Sequence, residues 1–227
     1  MPSRRSNAKD TESFLSALNA LDEAAFAKYL PSSSELKSKD GSKTYVWTFH
    51  LSSNLNDDDL EACFSLVEET SSADYQAASQ GWNPDHKRSE MRERDMRYIL
   101  VHRSGKEGHN SVLAFTSFML TPEDDQPVIY IYEIHLSPEL RGTGIGKALM
   151  EMVASIGRKV GVSMSMLTVF TTNQHAEAFY RRLGYTEDDS SPRDRKLRGG
   201  KIKRPEYLIL SKNLREQANA TTKRIKT

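Results

Sequence analysis

"YIYEIHLSPELRGTGIGKALM" (residues 130–150) decides how this chain is read. Alternating large residues run to Leu136, Gly142, Gly144 and Gly146 follow at alternate positions, and an apolar helical pattern then begins. Two familiar phosphate loops fail by count. A dinucleotide fingerprint G-x-G-x-x-G needs glycine where Lys147 or Leu149 stands, and a Walker loop needs glycine at Arg141 and a hydroxyl at Ala148. What remains is a turn whose backbone can approach a ligand closely and whose amides open a helix, a natural anion site. Arg141 and Lys147 flank it with positive charge. A pyrophosphate cradled by Arg141, Gly142, Thr143, Gly144, Ile145, Gly146 and Lys147, with no metal, fits this pattern. A plain glycine-rich turn is the competing reading on residues alone.

The chain has 227 residues, which points to one domain or two small ones. With 37% hydrophobic and 28% charged residues it can build a core under a well-charged surface. No apolar run approaches the roughly 20 residues of a membrane span, and "MPSRRSNAKD" is not followed by an apolar signal region; a cytosolic, nuclear or dual location is expected. The single cysteine, Cys63, rules out an intrachain disulfide and reads as a buried core thiol. The histidines at 50, 86, 102, 109, 135 and 175 have no metal-ligand spacing, so no metal is expected. A net charge of +1 argues against a dedicated nucleic-acid binder, yet residues 193–204, "RDRKLRGGKIKR", hold seven basic residues and one acid. Their default reading is a solvated loop, with a nuclear address or a nucleic-acid contact as alternatives.

Residues 1–10 read as disordered, residues 11–30 as one amphipathic helix with Thr11 as a possible cap, and residues 31–43 as a polar connector. Strands are expected at 44–51, 96–103, 111–121, 127–137, 165–172 and 205–213, helices at 56–71, 144–160 and 173–185, and a turn leading into a short charged helix within 81–95. From about Arg215 the tail is polar and basic. Strands that are neighbours in one part and alternate with helices in another imply a mixed α/β (α+β) sheet with helices on its faces.

The strand followed by Arg141-x-x-Gly144-x-Gly146 resembles the acyl-CoA pyrophosphate loop of the GNAT acetyltransferases. "NQHAEAFYRRLGY" (173–185) is similar to that family's second signature about thirty residues downstream. Further stretches, "GWNPDHKRSEM", "YIYEIHL", "MLTVFTTN", "YTEDDSSP" and "YLILSK", resemble the NatD group of histone N-terminal α-acetyltransferases, roughly from Tyr75 to Leu210. The resemblance implies an N-terminal extension (1–40), a GNAT domain (41–214) and a basic tail (215–227). It implies acetyl-CoA as co-substrate, and core histones of the H-four and H-two-A classes, which begin Ser-Gly-Arg-Gly, as partners. It also implies a monomer without membrane attachment. Asn173 would lie along the pantetheine arm, and Tyr180 would approach the thioester sulfur and protonate the departing thiolate. Tyr75, Tyr132, Thr168 and Tyr207 would contact the peptide, with Tyr130 and Trp82 at its cleft. The family's acidic position falls on Thr121, with Glu123, Asp124 and Asp125 following at once. Asp124 or Asp125 is expected to meet the substrate arginine; which of the three acids does so stays open, and a solvated hairpin loop is the competing reading. Gln80 stands where relatives often carry tryptophan.

The chemistry of the residues suits such a task. A peptide α-amine has a pKa of roughly 7.7–8, so a weak base serves. Glu133 is the candidate, because an unpaired carboxylate inside an apolar strand is costly. Tyr130 and Tyr132 share a face by period two, which sends Glu133 to the other face; a bulge would bring Glu133 and Tyr132 to one cleft. Amides of Ile134, His135 and Leu136 would then take the carbonyl and pantetheine. His135 reads as a packed histidine or a proton relay. Two other functions compete: a GNAT enzyme for lysine side chains or small amines, and a non-catalytic chromatin-binding module.

Overall fold

The computed structural model describes residues 4–103, 112–196, 198–200 and 202–215, with side chains from residue 8. Helix α1 (Arg4–Asn19) leads into a short helix α2 (Glu23–Phe26), strand β1 (Glu35–Lys37) and strand β2 (Thr44–Leu51). Helices α3 (Asp57–Ala77) and α4 (Pro84–Met91) follow, then β3 (Arg97–Arg103), β4 (Ala114–Glu123) and β5 (Gln126–Leu136). Helix α5 (Ile145–Val160), β6 (Met164–Phe170), α6 (Gln174–Arg182), β7 (Thr186–Glu187), the pair β8 (Arg195–Lys196) and β9 (Ile202–Lys203), and β10 (Tyr207–Asn213) complete the order. The main sheet runs β1-β2-β3-β4-β5-β6-β10-β7. Its neighbours are antiparallel except β5 and β6, which α5 connects as a parallel crossover. The expected mixed sheet with flanking helices is therefore present.

The N-terminal region differs from its expected form. One helix over 11–30, with 1–10 unstructured, becomes a helix that already begins at Arg4 and ends at Asn19. The chain turns there, and Asp22 caps α2 by accepting the Ala25 amide at 2.8 Å. Thr11 is not a cap; inside α1, it donates to the Asp125 carbonyl at 2.9 Å. The break has a tertiary cause. Buried Arg97 donates to Leu18 O and Asn19 Oδ1, each at 3.2 Å, and lies over the Phe26 ring. Leu15, Leu18 and Phe26 join the main core, so this segment is built into the fold.

Two apolar clusters sit on opposite faces of the sheet. Ile99, Phe118, Leu120, Ile129 and Ile131 meet α1, α2 and α5. Tyr98, Leu100 and Phe115 meet α3 and α4, where Cys63 is fully buried as expected. Helix α3 runs six residues past its expected end, which carries Tyr75 on the helix and over the sheet. Strands β1, β7, β8 and β9 are two or three residues long and were not foreseen, because segments so short carry no alternation to read. The turn expected at 104–110 lies outside the described residues, as does most of the tail.

One contact tests the packing. A Cβ on Gly157 of α5 would stand 2.6 Å from Leu214 Cδ1 and 3.0 Å from Ile129 Cγ2. Gly157→Ala therefore overpacks the core, and a net loss of about 1–2 kcal/mol is expected despite the better helix propensity of alanine. Thermal denaturation should show a lower Tm than the parent; an unchanged or higher Tm would mean that Leu214 yields freely.

Candidate active site

The alternation of β5 breaks at its working end. Ser117 pairs with Glu133 but Phe118 with Ile131, so Tyr132 is the extra residue of a β-bulge. Ser117 and Met119 share a face of β4 and pair with Glu133 and Tyr130, so the bulge brings Glu133 onto the face of Tyr130. The Tyr130 and Tyr132 rings lie 5.5 Å apart, and the Tyr130 hydroxyl is 2.6 Å from Thr168 Oγ1. Phe170, on the same face of β6 as Thr168, pairs with half-exposed Tyr207 of β10. Tyr75 descends from α3, edge-on to Phe170 at 4.9 Å and 5.4 Å from Trp82. Trp82 also stacks on Phe64, so it is cleft wall and core together. Tyr75, Trp82, Tyr130, Tyr132, Thr168 and Tyr207 thus meet on one face.

The acidic residues arrange themselves differently from the expectation. Asp124 and Asp125 form the tight β4–β5 turn, with left-handed φ of 47° and 63°. Register instead puts Glu123 on the face of Tyr130. Burial raises the phenols of Tyr130 and Tyr132, and the Glu123 charge adds to both. Glu123 thus shares the face of the tyrosine pair, while Asp124 and Asp125 occupy the exposed turn beside it.

Glu133 is not a free carboxylate. Its Oε1 pairs with the buried Lys87 ammonium, and its Oε2 lies 2.5 Å from His135 Nε2. Burial alone would raise the Glu133 carboxyl, but the charges of Lys87 and His135 and hydrogen bonds from both outweigh it and hold the pKa at about 2. Lys87 Nζ also donates to Tyr75 Oη and Glu90 Oε1, both at 2.7 Å. Burial pushes the Tyr75 phenol up, and the Glu133 charge adds to a value of about 12. His135 Nδ1 meets Thr70 Oγ1 at 2.5 Å, and that hydroxyl is 2.7 Å from the Leu66 carbonyl. Lys87, Glu90 and Thr70 escaped sequence reasoning. "PDHKRSEM" reads as a wholly solvated helix, and nothing in its charge pattern marks Lys87 as 3% exposed.

The coenzyme side follows from backbone. Strands β5 and β6 pair only from Val128–Met164 to Ile131–Leu167, although both continue. Beyond that point they part, and the main chain of Ile134, His135 and Leu136 has strand β4 on one side and a gap on the other. The turn after β5 gives Gly142 and Gly144 φ of 73° and 91°, and Gly144 heads α5. A Cβ at Gly144 would crowd Lys39, whose amide bonds Thr143 O at 2.7 Å. Gly146 has room for a Cβ at ordinary contact distance, so its smallness is not sterically required by the fold. Arg141 and Lys147 are exposed beside the first turn of α5, whose amides lack intrahelical partners. Lys147 also borders a cavity of about 200 Å³ with Arg158, Arg182 and Lys212.

Asn173 stands at the N-terminus of α6. Its side-chain oxygen caps α6 by accepting Ala176 N–H at 3.0 Å, and its amide donates to Asp74 Oδ2 at 3.1 Å. Both ends are engaged within the protein. Tyr180 packs on Phe179 and Tyr185, and burial followed by the Glu133 charge keeps its phenol protonated. Among the described residues no cluster of three His, Cys, Asp or Glu could hold a metal, and no helix is long and apolar enough to cross a membrane.

A parted parallel strand pair, a glycine turn opening a helix and a carboxylate-bearing bulge define an acyltransferase of acetyltransferase type. The chain belongs to the acetyltransferase (GNAT) family, whose model matches residues 58–185. It is similar to N-alpha-acetyltransferase 40 of Saccharomyces cerevisiae, with 33% identity over 172 residues, 63% of this chain and 57% of that protein. The chain thus spans little more than half the length of this relative. Among solved structures it resembles the GNAT domain of S. lividans PAT, with TM-score 0.54 and 16% identity over 82% of this chain and 98% of that one. It also resembles Arabidopsis thaliana NAA60 in complex with a bisubstrate analogue, with TM-score 0.52 and 15% identity over 74% and 98%. At these identities the two structures support the fold. GNAT acetyltransferases take their acetyl group from acetyl-CoA.

Proposed function

We propose that the chain acetylates the α-amine of a protein N-terminus, and that its substrates are core histones of the H-four and H-two-A classes beginning Ser-Gly-Arg-Gly. The observation that carries the reading is the ionised carboxylate of Glu133 at the end of a tyrosine-lined face. The resemblance of the yeast relative, named as an N-alpha-acetyltransferase, supports it. A group with a pKa of about 2 cannot strip a proton from a free ammonium before attack. An α-amine with pKa near 8 does not need it to, since roughly a quarter is already neutral at pH 7.5; for lysine the neutral fraction is about one in a thousand. The weak base therefore favours the α-amine over the side chain.

The steps follow from the same value. The neutral amine is received by the tyrosines and Glu123, with Glu123 meeting the substrate arginine. Acetyl-CoA, when bound, supplies an activated acetyl carbon; Arg141, Lys147 and the amides between them hold its pyrophosphate, and the free edge at Ile134–Leu136 holds the pantetheine. Once nitrogen has bonded to the acetyl carbon it becomes strongly acidic, and Glu133 accepts its proton at that late point. Tyr180, kept protonated, returns a proton to the departing sulfur.

Mass spectrometry of a Ser-Gly-Arg-Gly-Lys peptide incubated with acetyl-CoA tests this. Acetyl on the α-amine alone is expected. Faster acetylation of an α-blocked peptide at lysine would replace the proposal with a side-chain enzyme.

A further inference from the structure

Part of the basic run at 193–204 folds as a cationic ribbon. Strands β8 and β9 pair with Arg195 directly opposite Lys203, and Lys196 opposite Ile202. Gly199 and Gly200, at φ of 85° and 77°, lie between them. Like charges directly opposite on one face destabilise a strand pair, and an isolated two-stranded ribbon is marginal in water. This one has no apolar face beneath it: Ile202 is 58% exposed. Arg193, Arg195, Lys196, Arg198, Lys203 and Arg204 are all exposed, and no carboxylate among the described residues forms an ion pair with them. The segment's net charge of +6 in a chain of +1 leaves −5 for all the rest.

The ribbon is rooted beside the cleft. Glu206 accepts from Ser79 N at 2.9 Å and Ser79 Oγ at 2.7 Å, and the Thr171 amide donates to Glu206 O at 3.0 Å. The next residue is Tyr207. At the base, Arg193 and Arg204 border a cavity of about 310 Å³ whose lining includes Glu187 and Asp194. A basic peptide tail is repelled by such an arm, so the charge is not arranged for the acetylated substrate. We propose that the β8–β9 ribbon is a docking arm for the phosphate backbone of a nucleic acid, engaged while the neighbouring cleft works. Regularly spaced phosphates relieve the Arg195–Lys203 opposition, which an acidic side-chain surface would meet only if its carboxylates matched that spacing.

The test is fluorescence anisotropy of the full chain with a labelled 20-base-pair DNA duplex and with the matching RNA, against the variant Arg195→Ser/Lys196→Ser/Lys203→Ser. The parent should bind with affinity that falls steeply with salt. The variant should bind at least about tenfold more weakly, with a log–log slope lowered by about 2–3 for the lost phosphate contacts. Acetylation of a free peptide should not fall in the variant, since none of these residues touches the cleft and the arm's charge only opposes a basic tail. Equal binding by parent and variant, or displacement of the duplex by polyglutamate as readily as by unlabelled duplex, overturns the proposal; the latter would point to an acidic protein partner. The titration contains no acetyl donor, so its outcome is independent of which terminus is acetylated.

Discussion

Glu133→Gln should lower kcat on a Ser-Gly-Arg-Gly peptide by about 10²–10⁴-fold, the usual weight of a positioned general base, and leave the dissociation constant of CoA unchanged. Glutamine keeps the shape and its one oxygen can still accept from Lys87, but its NH2 end cannot accept from His135, and it cannot take a proton from nitrogen. The pH profile separates timing from identity. If Glu133 acts late, the acid limb of kcat/KM for the parent follows the substrate amine, near pH 8, and shifts when the terminal residue is changed to one of different amine pKa. A limb fixed to the enzyme would mean that another group removes the proton before attack. Retention of parental kcat by the glutamine variant would end the role of Glu133 altogether.

Lys87→Met should be nearly as severe, and for a different reason. Lys87 touches Glu133, Glu90 and Tyr75 at once. Removing one partner of a buried ion pair typically costs about 3–5 kcal/mol of stability, and burial, now less opposed, raises the Glu133 carboxyl. Turnover should fall, and the acid limb should move because part of Glu133 is protonated. In the Glu133→Gln background the same change should cost little further turnover, since the two act as a unit; full additivity would show that Lys87 works independently of Glu133. The pair also shapes acid stability. The folded carboxyl titrates at about 2 against an ordinary 4.5, so its contribution is present above about pH 4.5 and is lost as pH falls toward 2. Urea melts of the parent should weaken across that window, and those of Lys87→Met should weaken less.

Much of the site was legible because it rests on local backbone chemistry. The glycines after β5 and the helix that opens at Ile145 are dictated by residues within a few positions of each other. The tyrosine face could be named for a similar reason, since strand alternation carries Tyr130 and Tyr132 together. Where two acids compete, alternation alone could not choose. Asp124 and Asp125 look suitable in composition and sit in the turn, and the register of β4 against β5 adds Glu123 on the face of Tyr130. Asn173 reads as a ligand contact, and the structure adds that it caps α6.

The sequence by itself determined that a strand, a glycine turn and a helix start would present amides to an anion, and that Cys63 would be buried, because φ preferences and apolar periodicity act between near neighbours. Only the tertiary structure decided the charge state at the centre. Lys87 and Glu133 are far apart in the chain and meet because α4 lies over the bulged end of β5. That contact turns an exposed-looking lysine into the partner that sets the carboxylate's pKa. Desolvation and Coulomb attraction depend on what surrounds a group in space, and no run of neighbouring residues encodes them.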